Sequence, residues 1–309
     1  MAVLYWLEGL RNPVLDALML FFTCFGEEIL FIVLALTVFW CVDKREGYYL
    51  LFIGFFGTIL NQFLKLLCRI PRPWVRDPAL TQVNAAKGSA TGYSFPSGHT
   101  QNAVGTLGGI ARWHRRKWLR IVCICLALLC AVSRMYLGVH TPMDVGVSLV
   151  IALVLVLAFY PMMHWALKKP KRMYVLLGGM LFCALAFVLY ANCARFPADV
   201  DAENLYEGRK NSYSLLGALL GFLLAYPLEQ KYVHFSEKAS LPAQILKVAF
   251  GLGLLLAVKE GLKYGFLAIG FTWLGSNALR YFAVVIFAAL VWPLSFPWLR
   301  RLAERKRCS

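Results

Sequence analysis

Three short segments of this 309-residue chain carry polar residues of the kinds that act together on phosphate. The first, KLLCRIPRP, holds Lys65 and Arg72. The second is Pro96-Ser97-Gly98-His99, and the third runs from Ser133-Arg134 through His140 to Asp144. A phosphomonoester needs cations against its charged oxygens, a nucleophile in line with the leaving group and a proton donor for the departing alkoxide. Lys65, Arg72 and Arg134 supply three cations, and the two guanidiniums can grip oxygens bidentately. Two histidines are left for the remaining tasks.

His140 precedes Thr141-Pro142, an N-cap followed by proline at the first helical position, which sets its imidazole at the mouth of a helix. Asp144 lies one turn on. From there its carboxylate can accept a hydrogen bond from one ring nitrogen and leave the other free to attack phosphorus. His140 is therefore the expected nucleophile, Asp144 its orienter and His99 the acid. Ser97 and Gly98 open another helix, whose unpaired N–H groups and positive dipole end suit an anion, so Ser97 Oγ and the Gly98 amide are expected phosphate donors. Each residue alone has a plainer reading: Ser97 as an N-cap, Asp144 as half of a capping box, the arginines as interfacial anchors. Capping and anchoring at separate places do not account for their arrival together at one membrane face. The scheme requires no metal, the chain offers no carboxylate cluster of the kind that holds magnesium near phosphate, and no cofactor is expected.

The elements that position these residues are membrane helices. Hydrophobic residues make up 60% of the chain, its mean hydropathy is +0.63, and apolar stretches recur along the whole length. At ~20 apolar residues per span, crossings are expected near residues 14–41, 48–69, 97–112, 119–137, 143–164, 173–191, 211–228, 242–270 and 278–297. The fold class is thus all-α, a polytopic transmembrane helix bundle of about nine spans. The span at 97–112 is short, which implies that its start is held in protein rather than lipid. Residues 1–12 lack the basic-then-apolar order of a cleaved signal peptide and fit an amphipathic interfacial helix.

The net charge of +16 does not mark a nucleic-acid binder, because the basic residues sit in short connectors between spans. Lys44, Arg45, the 112–120 cluster, Lys168, Lys169, Lys171, Arg172, Lys231, Lys238 and the tail with Arg300, Lys306 and Arg307 fall on one side. By the positive-inside rule that side, with the C-terminus, is cytoplasmic. The three polar segments and the 192–212 loop, with Asp199, Asp201 and Glu203, then face outward. The nine cysteines show no paired spacing and lie mostly in apolar spans, so neither disulfides nor metal ligation is expected.

The pattern K-x6-R-P, P-S-G-H, S-R-x5-H-x3-D resembles the type-2 phosphatidic acid phosphatase superfamily, which includes lipid phosphate phosphatases, glucose-6-phosphatase and soluble vanadium haloperoxidases. The resemblance covers roughly residues 48–165, with three motifs in order. The string SRMYLGVHTPMD also looks like its counterpart in sphingosine-1-phosphate phosphatases. The resemblance implies a six-helix phosphatase core within residues 1–191, followed at 192–309 by about three additional helices packed in the same domain. It also implies a phosphohistidine intermediate on His140. With the site at the outer interface, a lipid phosphate is the expected substrate: phosphatidic acid, phosphatidylglycerol phosphate, a polyprenyl phosphate or diphosphate, or a sphingoid-base phosphate. A sugar phosphate is the alternative within enzymes, and a non-catalytic lipid transporter or scramblase the alternative of another class. The expected partners are the bilayer and its lipids, with a homo-oligomer left open.

Some charged and aromatic residues stand outside this pattern. Arg69 and Arg76 flank the first motif as interfacial residues or substrate guides, and Trp74 and Tyr93 are candidates for the substrate entrance. Glu27 and Glu28 interrupt the first apolar stretch, and Lys259, Glu260 and Lys263 the eighth. Charges there are expensive unless they face protein, water or each other, so they are read as ion pairs across helices, as a polar lining that selects substrate, or as a sign that residues 14–26 lie in the interface before a shorter first crossing.

Overall fold

Proline and capping residues set where the helices begin. Asn12 accepts a hydrogen bond from the Leu15 amide at 3.0 Å, Pro13 takes the first helical position and Asp16 sits in the first turn. Thr141-Pro142 repeats the device, with Thr141 Oγ1 accepting from the Asp144 amide at 3.2 Å, and proline in the first turn also opens the helices at Pro170 and Leu241 without a side-chain cap. In the computed structural model the described residues are 1–305 apart from Ser89 and Asp199, with the backbone alone for 302–305. Asp199, Lys306 and Arg307, named above for their charge, lie outside them.

The helices are α1 (Ala2–Gly9), α2 (Pro13–Thr23), α3 (Glu28–Cys41), α4 (Lys44–Cys68), the one-turn α5 (Pro73–Arg76) and α6 (Asn84–Lys87), α7 (Gly98–Trp113), α8 (Lys117–Tyr136), α9 (Pro142–Ala166), α10 (Pro170–Cys193), α11 (Ala202–Leu228), α12 (Leu241–Ala268), α13 (Ser276–Ile286) and α14 (Phe296–Arg305). No strand occurs among the described residues, and the chain is an all-α, polytopic membrane protein. Seven helical segments are long and apolar enough to cross a membrane: those built on α4, α8, α9, α10, α11 and α12, and Ser276–Arg301. The two other expected crossings differ in form. Residues 14–41 are two helices, α2 and α3, bent by 51° about a 3₁₀ turn at Cys24–Gly26. α7 has 16 residues, about 24 Å of rise against a hydrocarbon core of about 30 Å. Its first turn is enclosed, with Ser97 and Thr100 fully buried.

The chain forms two compact units. The first comprises Met1–Leu34, Tyr49–His164 and Arg195–Gly208. Its core sets Val104, Leu107 and Ala111 of α7 against Cys123 and Ala127 of α8 and Ala152 of α9. Small residues bring the helices together: a Cβ on Gly109 would meet Leu50 of α4 at 2.7 Å, and one on Gly105 would meet Ile53 at 3.0 Å. In the same unit the Arg112 guanidinium lies 3.8 Å from the Tyr160 ring centroid.

The second unit comprises Ala35–Tyr48, Trp165–Ala194 and the chain from Arg209. Trp40 and Trp292 are buried there over Gly251, and their indole N–H groups donate to the Ala288 and Lys247 carbonyls at 2.9 and 3.0 Å. Lys44 pairs with the enclosed Glu229 at 2.6 Å. The charges within α12 pair along the helix rather than across helices, Lys259 with Glu260 at 3.6 Å and Lys263 with Glu260 at 3.9 Å. All three are exposed enough that this pairing contributes little. The eight cysteines among the described residues are free.

Candidate active site

Four helix ends deliver the predicted residues to one place. Lys65 lies in the last turn of α4 and Arg72 follows that helix. Ser97 caps α7, Arg134 occupies the last turn of α8, and His140 and Asp144 flank the start of α9. Lys65, Arg72, Ser97, Arg134, His140 and Asp144 are all buried. Gly98 and His99 are partly exposed.

Three consecutive carbonyls hold two of the cations. Lys65 Nζ donates to Tyr93 O, Arg72 Nε to Gly92 O at 3.0 Å and Arg72 Nη2 to Thr91 O at 2.5 Å. Arg72 Nη1 donates to Val139 O at 3.1 Å and to His140 Nε2 at 2.9 Å. A guanidinium only donates, so Nε2 accepts and the ring proton is on Nδ1. Burial first, then the positive charges of Arg72, Arg134 and Lys65, hold His140 well below the ordinary histidine pKa. These surroundings favour the neutral imidazole, whose Nε2 lone pair faces Arg72.

Around Nδ1 the geometry is richer than expected. Asp144 Oδ2 lies 3.6 Å away, beyond a hydrogen bond, and Ser94 Oγ lies 3.5 Å away. Ser94 Oγ donates to the same Oδ2 at 2.6 Å, so the hydroxyl stands beside the ring with its oxygen lone pairs free to face the Nδ1 proton. Asp144 also accepts from the Thr141 amide at 2.8 Å while its own amide donates to Thr141 Oγ1 at 3.2 Å, a reciprocal capping box. The capping reading of Asp144 therefore holds, while the expected direct hydrogen bond to the His140 ring is not made and Ser94 stands beside both. Ser97 is likewise seen as a cap, its Oγ accepting from Thr100 N at 3.4 Å at the start of α7.

Arg134 is fully enclosed. Its Nη1 donates to Thr23 Oγ1 at 2.6 Å, while Nε and Nη2 have no hydrogen-bond partner among the described residues. Unpaired buried donors of this kind cost about 1–3 kcal/mol each or more, a cost that an oxyanion would remove. His99 is the more accessible site histidine, its side chain 15% exposed against 2% for His140. Its Nε2 lies 3.3 Å from Glu27 Oε1. A cavity of about 510 Å³ opens beside Arg72, lined also by Arg69, Tyr93, Val200 and Asn204. Trp74 lies under the Arg72 guanidinium, 5.8 Å from ring centroid to Cζ. Among the described residues no three His, Cys, Asp or Glu side chains are grouped as a metal site.

Residues 46–168, which contain all three motifs, match the model of the PAP2 superfamily. The chain belongs to the PAP2 superfamily. Residues 213–305 match a second model, the PAP2 superfamily phosphatase transmembrane extension, which covers the latter part of α11 and α12–α14. An undecaprenyl-diphosphatase of Bacillus subtilis is 31% identical over 152 residues, covering 48% of this chain and 76% of that protein. Sphingosine-1-phosphate phosphatase 1 of Rattus norvegicus is 29% identical over 164 residues, 50% of this chain but 37% of its own length. A dihydrosphingosine 1-phosphate phosphatase of Schizosaccharomyces pombe is 23% identical over 276 residues, 84% of this chain and 64% of that protein. No solved structure matches the chain.

Three residues that touch the site carry no motif. Ser94 lies two positions before the PAP2 family's P-S-G-H string, and nothing in its neighbours separates it from an ordinary loop serine. Thr23 and Glu27 lie before the matched stretch altogether. Glu27 had one legible signal, a carboxylate inside an apolar run, the usual sign of a partner or a task.

Proposed function

We propose that this PAP2 protein is an integral-membrane phosphatase that hydrolyses a lipid phosphate through a phosphohistidine on His140, without a metal ion. The observation that carries the reading is the His140 ring among three buried cations, with donors of Arg134 unpaired. In the first step His140 Nε2 attacks phosphorus and the bond to the leaving oxygen breaks. Arg72, Arg134 and Lys65, with Ser97 and the Gly98 amide, hold the equatorial oxygens, and His99 protonates the leaving alkoxide. In the second, water attacks phosphorus and gives a proton to His99, the P–N bond breaks with its electron pair returning to His140 Nε2, and inorganic phosphate leaves.

The relatives' names support the substrate class, since undecaprenyl diphosphate, sphingosine 1-phosphate and dihydrosphingosine 1-phosphate are all lipid phosphates or diphosphates. The cavity beside Arg72 suits a headgroup entering from the interface, with Arg69 and Tyr93 at its wall. By the positive-inside rule the basic connectors support an extracytoplasmic site with the C-terminus in the cytoplasm.

The test is a phosphate-release screen of purified protein in mixed micelles across lipid phosphates, lipid diphosphates and sugar phosphates, with and without EDTA. Wild type, His140→Ala and His99→Ala are run side by side. The proposal expects lipid substrates to lead, EDTA to leave activity in place, and His140→Ala to abolish it. Faster release from a sugar phosphate overturns the substrate class. Abolition by EDTA with recovery in magnesium overturns the metal-free mechanism. Lipid movement without His140-dependent phosphate release makes the chain a transporter instead.

A further inference from the structure

The break between α2 and α3 packs onto the acid. A Cβ on Gly26 would lie 2.5 Å from the His99 carbonyl oxygen and 2.7 Å from its Cβ, so only glycine allows this approach. Asn102, one turn beyond His99 on α7, donates to Gly26 O at 3.3 Å. Thr23 Oγ1, at the end of α2, accepts from Arg134 Nη1. Cys130 Sγ of α8 lies 3.9 Å from both the Thr23 and His99 carbonyls. Glu27, extended at ψ 140° as the helix is interrupted, then places Oε1 3.3 Å from His99 Nε2. One five-residue break therefore touches a phosphate-binding cation and the proton donor, from outside the 46–168 stretch.

We propose that Glu27 is the positioning residue of His99: its carboxylate accepts the Nε2 proton, fixes the ring and leaves Nδ1 as the nitrogen that exchanges a proton with the leaving oxygen. The inference rests on the phosphatase reading above. The other charged or titratable groups facing His99 are Arg134 and Cys130 from α8, Arg72 after α4 and His140 before α9. Burial first, and then the Arg134 and Arg72 charges, oppose a charged imidazole, so an imidazolium donor depends on the carboxylate beside it. In the chemical step Nδ1–H passes to the alkoxide and the neutral ring keeps Nε2–H on Glu27. In dephosphorylation Nδ1 takes the proton back from the attacking water.

The experiment compares wild type, Glu27→Gln and Glu27→Asp on a long-chain alkyl phosphate and on p-nitrophenyl phosphate, as kcat/KM against pH. The alkyl substrate needs a proton donor and the nitrophenolate scarcely does. Glu27→Gln is expected to move the alkaline limb for the alkyl substrate down by about one pH unit or more and to lose about tenfold or more at neutral pH. On p-nitrophenyl phosphate it should stay within about twofold, and Glu27→Asp should recover part of the alkaline limb. A Glu27→Gln profile superimposable on wild type, or an equal loss on both substrates without a pH shift, overturns the inference. If Glu27→Gln does not fold, the Glu27→Asp limb alone decides, a wild-type limb counting against. Wild type without His140-dependent hydrolysis of either substrate would instead sink the phosphatase reading.

Discussion

Arg72 Nη1 lies 2.9 Å from His140 Nε2, so the guanidinium expected to hold phosphate covers the nitrogen expected to attack it. Substrate must exchange this contact, with Arg72 turning to the phosphoryl oxygens and freeing the lone pair. The Thr91 and Gly92 carbonyls hold the other nitrogens, so the cation is tethered and the exchange is a small rotation. Lysine cannot make both sets of bonds. Arg72→Lys is expected to lower kcat/KM by about 10²–10³-fold and to weaken inhibition by vanadate, a trigonal-bipyramidal mimic of the transferring group. Steady-state kinetics with vanadate titration checks both.

The acid side of the pH profile follows from His140. Its pKa lies well below the ordinary value, from burial and then Arg72, so the nucleophile stays unprotonated as pH falls through the range where free histidine titrates. Activity should not show an acid limb near pH ~6.5 from this ring. Folding behaves oppositely. The unfolded chain takes up a proton there and the folded chain does not, so this group's contribution to stability is present above the unfolded pKa and declines as pH falls below it. Thermal unfolding of His140→Asn between neutral and mildly acidic pH should therefore show a shallower loss of Tm than wild type.

Ser94 is expected to matter because it bonds the carboxylate at 2.6 Å while standing beside His140. Ser94→Ala should lower kcat by about tenfold with KM near wild type. Asp144→Asn, which also disturbs the Thr141 cap, should lose about 10²–10⁴-fold. Equal effects from the two would mean that Ser94 carries the orienting role.

Gly138 ends the turn before His140 at φ 75°, and a Cβ there would meet Thr81 O and Arg11 Nη2, each at 2.7 Å. Gly138→Ala should cost about 1–3 kcal/mol and lower activity with it, read by thermal denaturation beside turnover.

Much of the site was legible because its chemistry is written in short strings on helix ends: Lys65, Arg72, Ser97, His99, Arg134, His140 and Asp144 each sit where a cap or last turn brings them inward. The enclosed start of α7 was legible too, since an apolar stretch as short as 97–112 implies that its start is held in protein rather than lipid. The bend at Cys24–Gly26 was legible only as an alternative, from the charges of Glu27 and Glu28, that ended an interfacial segment at residue 26. Hydropathy runs on through residues 14–41, and only the approach of Gly26 to His99, a tertiary contact, says why the helix is interrupted. Ser94 was hidden for a similar reason, because its partner Asp144 lies fifty positions away. The charges of α12 were read as a cross-helix pair or a polar lining, and they pair within their own helix.

The central claim is the covalent role of His140. Purified His99→Ala protein, in which breakdown of the intermediate is slowed, is mixed with ³²P-labelled p-nitrophenyl phosphate, whose leaving group scarcely needs the acid, quenched in alkali and digested for peptide mapping. The account predicts an acid-labile, alkali-stable phosphoryl group on the peptide containing His140, absent from the His99→Ala/His140→Asn double variant. Label on any other residue, or label that persists in the double variant, would contradict it.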